Sequence, residues 1–244
     1  MHDLTLLAAL VTALALIQSI FGMGILVFGT PTLLLFGVEF ASVLGLLLPA
    51  SMTLSAIQVW SSRGLPLPAR ERGNMAVCAL VVVASLATLV LTKLNARVDL
   101  FVGVAMLAAA VVRVAPALRE RLRARIARHD RRYVVLMGAV HGFTNMGGAL
   151  LAVYAASGRR DKDEIRAAVA RYYLLFGSIQ LGTLALLRPS ALGWTGAAVA
   201  PIAALVYLAL GNAMFRRAGA SLYEHAMTGF IGAYGAVVLA KTAL

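Results

Sequence analysis

Long apolar runs separated by short polar gaps occupy almost the whole chain. The runs are residues 4–36, 40–60, 75–92, 98–114, 133–157, 165–187, 191–215 and 220–240. All but the first are about 17 to 25 residues long, enough to cross a hydrocarbon core of about 30 Å at 1.5 Å per residue. They are continuous stretches of Leu, Val and Ala, not short alternating segments, and so predict helices instead of barrel strands. The expected fold class is all-α, a polytopic membrane protein.

Two of these runs are interrupted. Residues 4–36 drawn as one straight helix would extend about 50 Å, well past a bilayer core, and the run is broken at Gly22-Met23-Gly24. Residues 133–157 carry a second break near Asn145 to Gly148. A shift of 123 residues lays Phe21-Gly22-Met23-Gly24 on Thr144-Asn145-Met146-Gly147, each between apolar runs, which predicts a duplicated half. The expected organisation is a first repeat over 1–117, with a broken hairpin at 4–36 followed by helices 40–60, 75–92 and 98–114. A basic cytoplasmic linker at 118–132 follows. The second repeat, 133–244, has a broken segment at 133–157 and helices 165–187, 191–215 and 220–240.

Basic residues test whether the broken segments cross the membrane or return to the side they came from. Eight arginines between 113 and 132 mark that loop as cytoplasmic under the positive-inside rule. If both broken segments cross, 13 basic residues lie inside and eight outside, including Arg159, Arg160, Lys162, Arg166, Arg216 and Arg217. If both are re-entrant hairpins, 17 lie inside and only Lys93, Arg97, Arg188 and Lys241 outside, with both termini external. Arg171, within a span, is counted on neither side. The hairpin arrangement fits better. It leaves three crossings per half, which inverts the second half relative to the first, a recurring transporter design. Among the arginines, Leu118, Leu122 and Ile126 form a stripe suited to an interfacial helix.

Composition narrows the class. Hydrophobic residues make up 61% of the 244 and charged ones 13%, a balance that excludes an ordinary soluble domain. Net charge of +12 would suggest nucleic acid in a soluble protein, but here it lies in short loops and reads as topology, with lipid as the main partner. Cys78, the single cysteine, reads as a small hydrophobe. The run Leu4 to Phe21 has no basic residue ahead of it and reads as a span, not a cleaved leader. The ten acidic residues fall at segment ends or in loops, so the interior offers no carboxylate for a metal ion or proton relay, and no cofactor motif is present.

Candidate chemistry gathers at the breaks. A helix restarted inside the membrane begins with N–H groups that lack partners, its dipole favours an anion, and glycine lets backbone approach a ligand closely. Gly22, Met23 and Gly24 in the first half, with Gly147 and Gly148 in the second, are therefore candidate anion contacts; the alternative is that the glycines only permit tight packing. Gln18, Ser19, Thr30, Thr144 and Asn145 could donate to an oxyanion or serve as contacts between helices. His141 is a candidate proton carrier, with a packed histidine as the favoured reading. Arg171 lies about 9 Å into the run 165–187, as a ligand contact or a snorkelling side chain.

Phe21-Gly22-Met23-Gly24-Ile25-Leu26 through Thr30-Pro31-Thr32-Leu33-Leu34, echoed at His141-Gly142-Phe143-Thr144-Asn145-Met146-Gly147-Gly148, resembles the sulfite exporter TauE/SafE family of permeases; Glu164-Ile165-Arg166-Ala167-Ala168 is similar to the family's stretch before the following helix. The first turn departs from the family's three glycines at Met23 and Ile25, which narrows that half of the site. The resemblance implies export of a small sulfur oxyanion or sulfonate across a bacterial inner membrane, with no enzymatic step. A passive anion channel and a scaffold that moves nothing are the competing readings, and the sequence sets no oligomeric state.

Overall fold

The computed structural model describes residues 4–92, 115–159, 161–217 and 219, with isolated positions within 104–111 and 228–240. The helices expected at 98–114 and 220–240 lie outside these residues apart from the isolated positions. The described elements are α1 (Leu4–Phe21), α2 (Ile25–Leu35), α3 (Phe40–Ser61), α4 (Ala69–Thr92), α5 (Pro116–Thr144), α6 (Gly147–Gly158), α7 (Lys162–Leu187) and α8 (Trp194–Arg217). No strand occurs among the described residues. α1, α3, α4 and α8 are long and apolar enough to cross a membrane, and α2 and α6 are shorter apolar helices. α7 is continuous and carries Arg171 and Gln180 along its length.

Polarity is inverted relative to a soluble bundle. Leu80, Leu91, Leu186, Leu205 and Leu208 are exposed, while Gln18, Ser51, Ser55, Gln58, His141, Asn145 and Gln180 are buried. Lipid solvates the first set; the second must find partners inside, because hydrocarbon offers none.

α3 is central, packed against α7 on one side and α8 on the other, and α4 rests on α5 and α7. Small residues allow the close approach. A Cβ on Gly196 of α8 would fall on the carbonyl of Gly45 of α3, and one on Gly142 of α5 would lie 2.6 Å from Cβ of Ser85 of α4. α8 contains a π turn at Tyr207–Gly211, where Gly211 rests against Ser19 of α1.

Both breaks reverse the chain. After Phe21 the backbone turns at Gly22 (φ +75), a conformation that glycine adopts without Cβ strain. α2 then runs back along α1, so that a Cβ on Gly24 would lie 2.6 Å from the Gln18 nitrogen and 2.8 Å from the Leu14 carbonyl. In the second half Asn145 takes the left-handed conformation (φ 59), a role that asparagine fills more readily than most residues. α6 returns along α5, where the Tyr133 hydroxyl donates to the Leu150 carbonyl at 2.9 Å and the Tyr133 ring stacks on Tyr154.

The basic stretch 118–132 is helical and continuous with the span that follows, through a kink at His129 (φ −133, ψ 42). Of its apolar stripe, Ile126 is buried and Leu118 is exposed. α4 begins six residues before the expected start at 75, which brings Arg70 and Glu71 into its first turn. α7 starts under a cap: the Asp161 carboxylate accepts from the amides of Asp163 at 2.7 Å and Glu164 at 3.4 Å.

One end of the bundle gathers most of the described charge contacts. Arg70 pairs with Asp130 at 2.6 Å and Arg159 pairs with Glu71. The Arg70 hydrogen bond, helped by Asn74, holds the Asp130 carboxyl at about 2, below its ordinary range. At the same end Lys162 donates to the carbonyls of Phe215 and Arg216. Arg188 and Glu39 pair at 2.6 Å between the other ends of α7 and α3.

Candidate functional site

The two restarted helices lie side by side in antiparallel register. Val27 of α2 faces Gly148 of α6, and one turn on, the Asn145 side-chain amide donates to the Thr30 hydroxyl at 2.8 Å. The breaks therefore overlap by about a turn instead of meeting end to end. Thr30 and Asn145, one from each half, form the polar contact at their crossing, and both are fully buried.

Asn145 ends α5 and opens the turn. Its amide donates to the His141 carbonyl at 2.7 Å, and its side-chain Oδ1 has no partner. The Thr144 hydroxyl donates to the Val140 carbonyl and accepts from the Met146 amide at 3.1 Å, which closes the turn and commits Thr144 to the backbone. Gly147 and Gly148 then open α6, where first-turn amides have no acceptor within the helix.

His141 is fully buried one turn before the break. Its ring stacks on Phe176 at 4.0 Å, and Nε2 lies 3.3 Å from Oε1 of Gln180. With Gln180 so oriented, Nε2 is assigned the proton and Nδ1 the lone pair, and Nδ1 has no partner. The second break thus has four buried polar atoms without partners around it: Asn145 Oδ1, His141 Nδ1, the Tyr173 hydroxyl and Gln180 Nε2. A Cβ on Gly148 would strike the Tyr173 hydroxyl, so that hydroxyl sits directly over the start of α6.

The first break is arranged differently. Gln18 Oε1 accepts from the Ile25 amide at 3.1 Å, capping α2 from within the same hairpin. The Gln18 side-chain nitrogen reaches the Ser51 carbonyl at 3.1 Å and the Ser55 hydroxyl at 3.2 Å, and Gln58 donates to the Gln18 carbonyl at 3.2 Å. Met23 and Gly24 are buried, and Ser19 donates back to Ala15. Gly22 packs against Val169 of α7.

Arg171 stands apart from both breaks. Its guanidinium donates to the carbonyls of Pro66 at 2.9 Å and Leu65 at 2.7 Å, in the connection between α3 and α4. The structure brings Thr30, His141, Asn145, Gly147 and Gly148 together, places Gly22, Met23 and Gly24 at the capped first turn, and gives Thr144 a backbone role. Tyr173 and Gln180 join the cluster without having been expected. Their signal is their spacing, seven apart on one face of the helix. The expectation that carboxylates stay out of the interior is corrected by Glu71: it is 5% exposed because α4 starts early and buries it against Arg159.

No curated protein and no solved structure matches the chain. The family profile described as "Sulfite exporter TauE/SafE" matches residues 6–241. An integral membrane chain whose apolar helices break twice around buried polar groups, matched over nearly its whole length, belongs to the sulfite exporter TauE/SafE family of membrane transporters for sulfur anions.

Proposed function

We propose that this protein is a permease for a small sulfur oxyanion, sulfite or an organosulfonate, built as an inverted repeat whose two broken segments are re-entrant. The anion is held where the hairpins cross, and relative motion of the halves exposes it to either side for export. The observation that carries this reading is the buried contact from Asn145 to Thr30 between the halves, bordered by polar atoms without partners.

The donors of the cluster have a use in that role, while Asn145 Oδ1 and the His141 Nδ1 lone pair can only accept. The amides of Gly147 and Gly148, the α6 dipole, the Tyr173 hydroxyl and the Gln180 amide supply hydrogen-bond donors in a region where water is scarce. Cations are absent among the cluster residues named here, so binding rests on donors and helix ends, which suits a ligand that must also leave. Charge placement supports the re-entrant arrangement: Arg159 and Lys162 share an end of the bundle with Asp130 and Arg216, while Arg188 sits with Glu39 at the other end.

Counterflow in proteoliposomes tests the function. Labelled sulfite should accumulate transiently against a trans pool of unlabelled sulfite, as a carrier requires; flux indifferent to the trans pool would favour a channel, and absence of flux for sulfite and sulfonates would sink the proposal. Lys162→Cys in a Cys78→Ser background should label only from the cytoplasmic side, and external labelling would overturn the re-entrant arrangement.

A further inference from the structure

At the basic end of the bundle, remote from the crossing, lies a cavity of about 440 Å³. Its polar wall has three arginines, Arg70, Arg159 and Arg171, and three carboxylates, Glu71, Asp130 and Glu164, with Asn74 and Ser157 between them. Two of its three arginines are held by fixed partners. Arg70 is tied to Asp130, and Arg171 donates to the Leu65 and Pro66 carbonyls.

The Glu71–Arg159 pair is different. It joins α4, in the first half, to the end of α6, the returning limb of the second hairpin. The Glu71 side chain is 6% exposed, and only one of its oxygens is matched: Oε2 meets Arg159, and Oε1 has no partner. A buried ion pair with an oxygen left over does not recover its full desolvation cost. The guanidinium, in turn, makes one further contact, to the Ala155 carbonyl at 3.4 Å. An oxyanion, which offers two acceptor atoms in the plane of the fork, is a better match for Arg159 than a singly bonded carboxylate.

From the cavity a run of aromatic rings leads inward. Tyr154, in the cavity wall, meets Tyr172 at 5.8 Å between centroids, Tyr172 meets Phe176 at 5.8 Å, and Phe176 stacks on His141 beside the second break.

We propose that this cavity is a vestibule that binds the oxyanion before it reaches the crossing, and that Glu71–Arg159 is its latch: the anion takes Arg159 in place of Glu71, releasing the contact between the halves. The proposal rests on the permease reading for the class of ligand. Arg70–Asp130 and Arg171 stay in place as the frame of the vestibule. Asn145→Ala, at the crossing, leaves vestibule binding intact.

Isothermal titration of the purified full chain with sodium sulfite, alongside transport from the basic end in proteoliposomes, tests it. Glu71→Gln removes the competing carboxylate and should tighten sulfite binding about tenfold and lower KM from that end. Arg159→Gln should weaken binding more than tenfold. If Arg159→Gln fails to fold because Glu71 is left buried without its partner, the neutral pair Glu71→Gln with Arg159→Gln restores the fold and should still bind weakly. In Asn145→Ala, where transport falls, the sulfite binding that remains should still be lost on adding Arg159→Gln. Unchanged affinity in Glu71→Gln and in the arginine variant, with transport intact, would overturn the latch and leave the permease standing. Sulfite binding lost in Arg159→Gln, from a wild type that shows no flux, would support the vestibule and reject the permease. Absence of sulfite binding to the wild type would overturn the vestibule.

Discussion

The two breaks solve one backbone problem with different side chains. At Gly22 to Gly24 the restarted helix is capped from inside its own hairpin, with Gln18 taking the Ile25 amide and Ser51 and Ser55 taking Gln18 in turn, and Gln58 Oε1 is the unmatched atom beside it. At Asn145 to Gly148 Thr144 closes the turn, and the polar atoms beyond it, on Asn145, His141, Tyr173 and Gln180, keep unmatched capacity. Because an unmatched buried polar atom costs about 1–3 kcal/mol, four around one turn make a functional demand the economical explanation. On the proposed reading the first break is mainly structural and the second holds the ligand, with Thr30 of α2 joined to the second break by a hydrogen bond.

The sharpest way to break the contrast is Asn145→Ala. It removes the buried link to Thr30 that sets how the two restarted helices cross, and transport should fall roughly tenfold in kcat/KM, the size expected for about 1–1.5 kcal/mol of one lost buried hydrogen bond. Gly148→Ala comes next, since its methyl would displace the Tyr173 hydroxyl at a cost of about 1–3 kcal/mol. Flux should drop about tenfold, and Tyr173→Phe, which removes the nearest clash but leaves Val27 Cγ2 at 2.6 Å, should recover part of the fold stability but not the affinity.

Gln18→Leu should act in the opposite sense. The Ile25 amide loses its acceptor, so the melting midpoint in detergent should fall by an amount equivalent to about 1–3 kcal/mol, while KM stays within about twofold. A tenfold rise in KM would show that the first break binds as well. The smallest effect belongs to the frame at the basic end. The Asp130 carboxyl is held at about 2, below the roughly 3.9 of an unfolded chain, so its contribution to stability is complete above about pH 4 and fades as pH falls towards 2. Asp130→Asn should lower the melting midpoint slightly and evenly between pH 5 and 8, and a marked pH dependence in that window would point to another group.

What could be read in the sequence follows the same division. Hydrophobic length located both breaks and the helices at 40–60 and 165–187 to within a few residues, and Thr30 and Asn145 stood out as polar residues beside glycines in apolar surroundings. Periodicity gives depth along a helix, but a partner on another helix depends on packing, so Gln180 facing His141 was not visible. Arg171 has no acidic partner in the sequence because its acceptors are backbone carbonyls. Glu71 resembled a loop residue because it lies between Arg70 and Arg72, and tertiary contacts to Arg159 and Asp130 draw that stretch into α4.

Selenite, the selenium analogue of sulfite, makes the central claim directly measurable through the anomalous signal of a crystal of the complex. The account predicts a selenium peak between Thr30, Asn145 and Gly148, within hydrogen-bond reach of the Tyr173 hydroxyl. A transport-competent protein whose selenium lies only beside Gln18 and Met23, or nowhere near either break, would contradict it.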